Sequence, residues 1–276
     1  SIGAKAPVKN DELFFSHSQA KKPALVKSKK TTKKQMLQTT NISKTFQGEQ
    51  VLEDLSFQLN KREMLSILGR SGSGKTTLLK VLAGLETADT GQVILEGKDI
   101  TTVPANQRGI VYLYQEALLF PHLNVFENIA FGLRLRKQPA PVVKDKVYAL
   151  LERLELPEQA QKMPEQLSGG QRQRVAFGRA LVIEPRVLLL DEPFGALDSE
   201  TRTNMQNLLK GVAKDYGLTA IFITHDLKEA MLMGDRMGMM QNGKLNIYDK
   251  QADFIADKAT GVLEEAQFWI NLQDLK

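Results

Sequence analysis

Short apolar runs closed by glycine alternate with longer stretches of helical periodicity over most of this chain. Residues 36–68 read as strands. Met36–Phe46 alternates loosely, Leu55–Leu59 alternates cleanly, and Met64–Leu68 is a short run of the kind buried on both faces. A helix is expected over Lys75–Gly84, with Leu78, Leu79 and Leu82 on one face and Gly84 as its stop. Gly91–Gly97 and Gly109–Gln115 read as further strands. After Gln115 the pattern becomes helical in Val125–Lys137 and Val142–Leu156, with Pro139, Pro141 and Pro157 as punctuation. A helix over Gly169–Ile183 then leads into strand Val187–Leu190. Helix Glu200–Tyr216, strand Thr219–Thr224, helix Leu227–Gly234 and strand Met237–Gln241 complete the series.

Strands alternating with helices predict an α/β fold around a mostly parallel sheet. The helical block at about 116–165 interrupts that alternation and reads as an insertion. The expected organisation is a basic extension over 1–35, a folded body over 36–245 and a short helical extension over 246–276.

Composition changes this picture little: 42% of residues are hydrophobic and 25% charged, as in an ordinary globular protein. There are no cysteines, which excludes disulfides and thiolate metal sites. No apolar run approaches the ~20 residues of a membrane span, so a membrane role is expected through partners. The net charge of +5 is unevenly spread. Residues 1–35 hold nine lysines against Asp11 and Glu12, a local +7 that leaves −2 for the remainder. Such a segment has too little apolar surface to offset the cost of ordering. Two readings of it stand: a solvated extension, or a tether to anionic lipid or nucleic acid at ~1 kcal/mol per lysine near a membrane surface.

Three motifs carry chemistry. Gly69, Arg70, Ser71, Gly72, Ser73, Gly74, Lys75, Thr76 and Thr77 form a phosphate-binding loop of the Walker A pattern, between a strand and a helix. Its glycines let backbone N–H groups turn toward phosphate oxygens, and the helix adds its positive end. Lys75 suits the β- and γ-phosphates, and the Thr76 hydroxyl suits Mg²⁺. Asp191 and Glu192 end an apolar strand, where parallel sheets hold ligands. Asp191 fits the magnesium shell, and Glu192 fits polarisation of an attacking water. LSGGQRQR, Leu167–Arg174, opens a helix on two adjacent glycines that have no obvious structural need. Ser168 with the N–H groups of Gly169 and Gly170 makes a second anion-binding helix end.

The order of these motifs resembles the nucleotide-binding subunit of an ABC (ATP-binding cassette) transporter over roughly Met36–Lys244. The resemblance implies a P-loop NTPase core with an antiparallel β subdomain and an inserted helical subdomain. It implies ATP and Mg²⁺ as cofactors. It also implies head-to-tail dimerisation with a second copy or a homologous subunit, the signature of one, Ser168–Gln171, meeting the γ-phosphate held by the other. By the same resemblance Gln115 senses metal and attacking water, and Asp198 of GALD lies at the dimer interface. His225 of ITHD contacts the γ-phosphate, and Phe46 stacks on adenine. The expected catalytic set is thus Glu192, His225, Gln115 and Lys75, with Thr76, Gln115 and Asp191 at the metal.

Ala117–Leu133, DEPFGALD and THDLKEAMLMGDR are similar to importer cassettes of the polyamine, iron, sulfate, molybdate and sugar groups. That implies solute import through membrane permease subunits, a solute-binding protein, and a peripheral place on the cytoplasmic face of the inner membrane. The chain departs from the pattern at Arg70-Ser71, where Pro-Ser is commoner, and at YLYQ (Tyr112–Gln115). Asp257–Trp269 is expected to cap the cassette, with Trp269 as a docking anchor or a core residue. Two rivals remain at this stage. One is an exporter or lipid-trafficking ATPase; the other is a non-transport cassette binding nucleic acid, which the single cassette and absent cysteine disfavour.

Overall fold

The computed structural model describes residues 34–264. The basic segment before Lys34 and residues 265–276, Trp269 included, lie outside them. Two sheets organise the body. The first is antiparallel, with spatial order β2-β1-β4-β5. Its strands are β1 (Gln35–Phe46), β2 (Glu49–Asn60), β4 (Thr90–Leu95) and β5 (Lys98–Asp99). In β2 the alternation is clean over Leu55–Leu59, with Leu55, Phe57 and Leu59 inward, and Leu52 is also buried across the irregularity at Asp54, which takes φ +56. In β1 it slips. The register shifts between Thr39 and Ile42, where Asn41 takes φ +52, so Leu37, Thr39 and Ile42 are all buried despite their odd spacing. That bulge is why the sequence alternates only loosely there.

The second sheet has order β10-β9-β3-β8-β7-β6. Its strands are β3 (Met64–Leu68), β6 (Ile110–Leu113), β7 (Val187–Asp191), β8 (Ala220–Thr224), β9 (Arg236–Gln241) and β10 (Lys244–Tyr248). All neighbours are parallel except β9 and β10. Every residue of β3, β7 and β8 is buried, as near-continuous apolar runs require when helices cover both faces. One face carries α1 (Lys75–Ala83), whose Leu78, Leu79 and Leu82 pack with Leu65, Ile67, Leu189, Ile221 and Ile223. The other face packs through Leu188, Leu190, Phe194 and Phe222 into a cluster continuous with three helices. These are α2 (Val125–Leu135), α3 (Ala140–Arg153) and α4 (Gly169–Leu181). This architecture is the expected α/β class with a parallel core, an antiparallel sheet and added helices.

Several elements differ from the sequence expectation. Pro141 does not break the chain between helices but sits in the first turn of α3, where its missing N–H is not needed. The chain after Gln241 turns at Asn242-Gly243, both at positive φ, and returns as β10 through Tyr248. This strand lies partly in the stretch expected to be a helical extension. Beyond it come α7 (Gln251–Ala256) and a single tight turn. Between β7 and β9 lie α5 (Ser199–Tyr216) and α6 (Leu227–Met233). Among the described residues no helix is long and apolar enough to cross a membrane.

Candidate functional site

The site collects at the carboxyl ends of β3, β8, β7 and β6, four adjacent parallel strands. From β3 the chain enters the loop Gly69–Gly74. A Cβ on Gly69 would stand 2.5 Å from the Met240 carbonyl oxygen, and one on Gly74 would stand 2.6 Å from that of Val51. Gly74, at φ +103, also turns the chain into α1, which has no side-chain cap. The first-turn N–H groups of α1 therefore remain available to an anion. The adjoining cavity, about 230 Å³, is lined by Val51, Ser71, Gly72, Gly74, Lys75, Thr76, Thr77 and Glu192.

Lys75 is buried, and its ammonium donates to the carbonyls of Gly69 (2.7 Å) and Arg70 (3.0 Å). Burial lowers its pKa, while the nearby carboxylates of Glu192 and Asp191 act in the opposite direction. The Ser73 amide donates to the Arg70 carbonyl at 3.2 Å, and its buried Oγ has no protein partner. Asp191 is buried at the end of β7. Its Oδ1 accepts from Thr76 Oγ1 at 3.3 Å, and its Oδ2 accepts from the Tyr112 hydroxyl. The next residue, Glu192, has φ +42, a conformation costly outside glycine, and its N–H donates to the Ile223 carbonyl at 3.1 Å. That turn aims Glu192 toward β8, where His225 Nδ1 donates to Glu192 Oε2 at 2.9 Å. Gln115, exposed past the end of β6, lies against the loop after β7. A Cβ on Gly195 would meet its Nε2 at 2.9 Å.

The remaining candidates lie elsewhere. Ser168, Gly169, Gly170, Gln171, Asp198 and Phe46 are not walls of the phosphate cavity. Ser168 caps α4. Its Oγ accepts from the Gln171 amide at 3.2 Å, and Gln171 Oε1 accepts from the Ser168 amide at 3.0 Å. The Gln171 side chain is thus engaged in a capping box. Asp198 caps α5 by accepting from the Thr201 amide at 3.0 Å, and that bond holds its carboxyl below the usual range. Phe46 is 40% exposed, with the Lys44 ammonium 4.9 Å from its ring centroid.

The glycine pair needs a correction. Gly170 does have a structural reason: a Cβ there would stand 2.5 Å from Thr201 Cγ2, because the starts of α4 and α5 touch. Gly169 has none, since the nearest atom to its Cβ position is Arg172 Nη2 at 4.0 Å. Sequence reasoning also missed Tyr112. The only signal available was the YLYQ departure, which puts a tyrosine, Tyr112, within β6.

Comparison with known proteins agrees with this geometry. The family model described as ABC transporter matches residues 52–195. The spermidine/putrescine import ATP-binding protein PotA of Vibrio cholerae is 48% identical over 212 residues, covering 77% of this chain and 56% of that protein. PotA of Salmonella typhimurium is 50% identical over 204 residues, covering 74% and 54%. The chain therefore spans a little over half the length of these curated relatives. Among solved structures, the dimeric post-hydrolysis state of an ATP-binding cassette bound to ADP and Pi superposes with a TM-score of 0.68. It is 30% identical, and the match covers 76% of this chain and 97% of that one. With the family model spanning more than half of its residues and the phosphate loop, signature and acidic strand end all inside the matched region, the chain belongs to the ABC transporter family.

Proposed function

We propose that this chain is the ATP-hydrolysing subunit of a solute importer, working as a head-to-tail dimer beneath separate membrane permease subunits. The carrying observation is a division of labour within one chain. The loop, Lys75, Thr76 and Glu192 line one cavity, with Asp191 bonded to Thr76 and His225 to Glu192, while the signature end of α4 neither lines it nor bonds to these residues. A second anion-binding helix end outside the walls of the first site suits the phosphate of another copy. The names of the PotA relatives support import, and spermidine and putrescine are the first solutes to test.

The donor set fits a hard divalent cation. Thr76 Oγ1 and an Asp191 carboxylate oxygen would hold Mg²⁺, which prefers one or two protein oxygens plus phosphates. When bound, that ion supplies charge neutralisation on the phosphate oxygens. Lys75, already held in the loop by two carbonyls, places its charge beside the terminal phosphates. Glu192 orients and polarises the attacking water, and its bond to His225 fixes which carboxylate oxygen is free to do so. Gln115 stands between this site and the segment leading to α2, where it links the two. A groove of about 890 Å³, walled by Leu85, Tyr112, Tyr114 and Arg136 among others, is the proposed seat for a permease helix. Seated there, the subunit lies peripherally on the cytoplasmic face of the inner membrane.

The test is steady-state ATPase activity against protein concentration. Turnover per chain that rises with concentration supports the composite site. Constant turnover per molecule down to dilute monomer overturns it.

A further inference from the structure

Asp191 receives two hydroxyls, and only one belongs to the phosphate loop. The parallel register pairs Tyr112 of β6 with Leu189 of β7. Asp191, two residues beyond Leu189, therefore lies on the same sheet face as Tyr112. Helix α1, which carries Thr76, covers that face. The Thr76 hydroxyl takes Oδ1 and the Tyr112 hydroxyl takes Oδ2. Tyr114, just past the end of β6, packs edge-on against Tyr112 with centroids 4.6 Å apart and rings at 75°. The phenol ring is thus gripped from the side, and both tyrosines are walls of the 890 Å³ groove.

We propose that Tyr112 is a positioning residue for the Asp191 carboxylate, fixing one oxygen so that the other is presented beside Thr76 for the metal. This rests on the reading of Thr76 and Asp191 as the cation-holding pair. Without the phenol, the carboxylate could rotate about its last bond, and its oxygens would no longer be presented in one orientation. A partner seated in the groove would also touch the ring that sets this orientation.

The experiment uses the full chain and Mn²⁺ as probe, titrated by electron paramagnetic resonance with a non-hydrolysable ATP analogue. Nucleotide binding in EDTA and thermal unfolding are measured in parallel. For Tyr112→Phe we expect unchanged melting and EDTA binding, with the Mn²⁺ half-saturation raised about 10-fold, the lower end for loss of a group that orients a metal ligand. On an Asp191→Asn background the same change should have no further effect. If the Phe variant fails to fold, Tyr112→Met must show the same shift. An Mn²⁺ midpoint equal to wild type, or an equal shift in the Asp191→Asn background, overturns the proposal. A wild-type chain that binds nucleotide without any metal dependence overturns the underlying site reading as well.

Discussion

At the residue scale, the two glycines of the signature separate packing from recognition. Gly170→Ala forces a methyl group into Thr201 Cγ2, and overpacking of this kind costs ~1–3 kcal/mol. Urea unfolding should show that loss, and Thr201→Ser, which deletes the methyl in contact, should restore most of it. Gly169→Ala meets open space at the start of a helix, where the change is worth no more than ~1 kcal/mol in either direction. Its expected effect is on turnover, because a methyl there obstructs close approach of a phosphate from another copy. An unfolded Gly169→Ala or a fully active one would count against this assignment. The residue chemistry itself was plain in the sequence. Lys75, Thr76, Asp191 and Glu192 sit in motifs whose local geometry is set by a strand end and a helix start. Tyr112 was not plain, because its partner lies on another strand, 79 residues away.

At the element scale, α4 does more than present the signature. Its Arg179 donates to the Leu118 carbonyl at 2.7 Å and lies 5.1 Å from the Phe120 centroid, so it grips the segment that follows Gln115. Lysine lacks the planar fork needed to stack and donate at once. Arg179→Lys should therefore lose ~1–2 kcal/mol, read by thermal unfolding. Helix α6 is tied in by Glu229, which is buried and accepts from Thr224 Oγ1 (2.7 Å) and Gln206 Nε2 (3.2 Å), with Arg202 at 3.8 Å. Burial raises its pKa above the ordinary 4.5, Asp226 adds to the rise, and Thr224, Arg202 and His225 oppose it. The native state then binds this proton more tightly than the unfolded chain. Its contribution is fully present below about pH 4.5 and is lost as pH rises through the folded value. Glu229→Gln removes the titration, so the melting temperature of the variant minus that of wild type should increase from about pH 4 to pH 7. A difference that stays flat with pH would sink this reading.

At the scale of the whole molecule, the proposed dimer gives the sharpest prediction. Glu192→Gln keeps the shape of the site and removes the carboxylate that polarises water. With ATP and Mg²⁺ it should accumulate as a dimer by light scattering, with little hydrolysis. A variant that stays monomeric under those conditions would argue against sites shared between copies. Whether the proposed importer takes polyamines is tested at this scale too, with its partners present. Reconstitution with a permease and a binding protein, comparing spermidine and putrescine with sulfate, would decide it.

The sequence alone determined the α/β class, the parallel core and the motif residues, because each depends on local pattern. A near-continuous apolar run of four or five residues has to be buried on both faces, and a glycine loop between strand and helix has few uses. It left the edge of the sheet unread. Strand β10 follows Asn242-Gly243, a strong hairpin signal, but its sequence KLNIY is only partly apolar and its strand lies at a sheet edge. Tertiary structure decided what depends on register and approach between distant segments. It turned Glu192 toward His225 by backbone pairing with Ile223, seated Gly170 against Thr201, and put the Tyr112 phenol on Asp191. These contacts arise where neighbouring parallel strands end level and the starts of two helices touch, and no spacing along the chain encodes that.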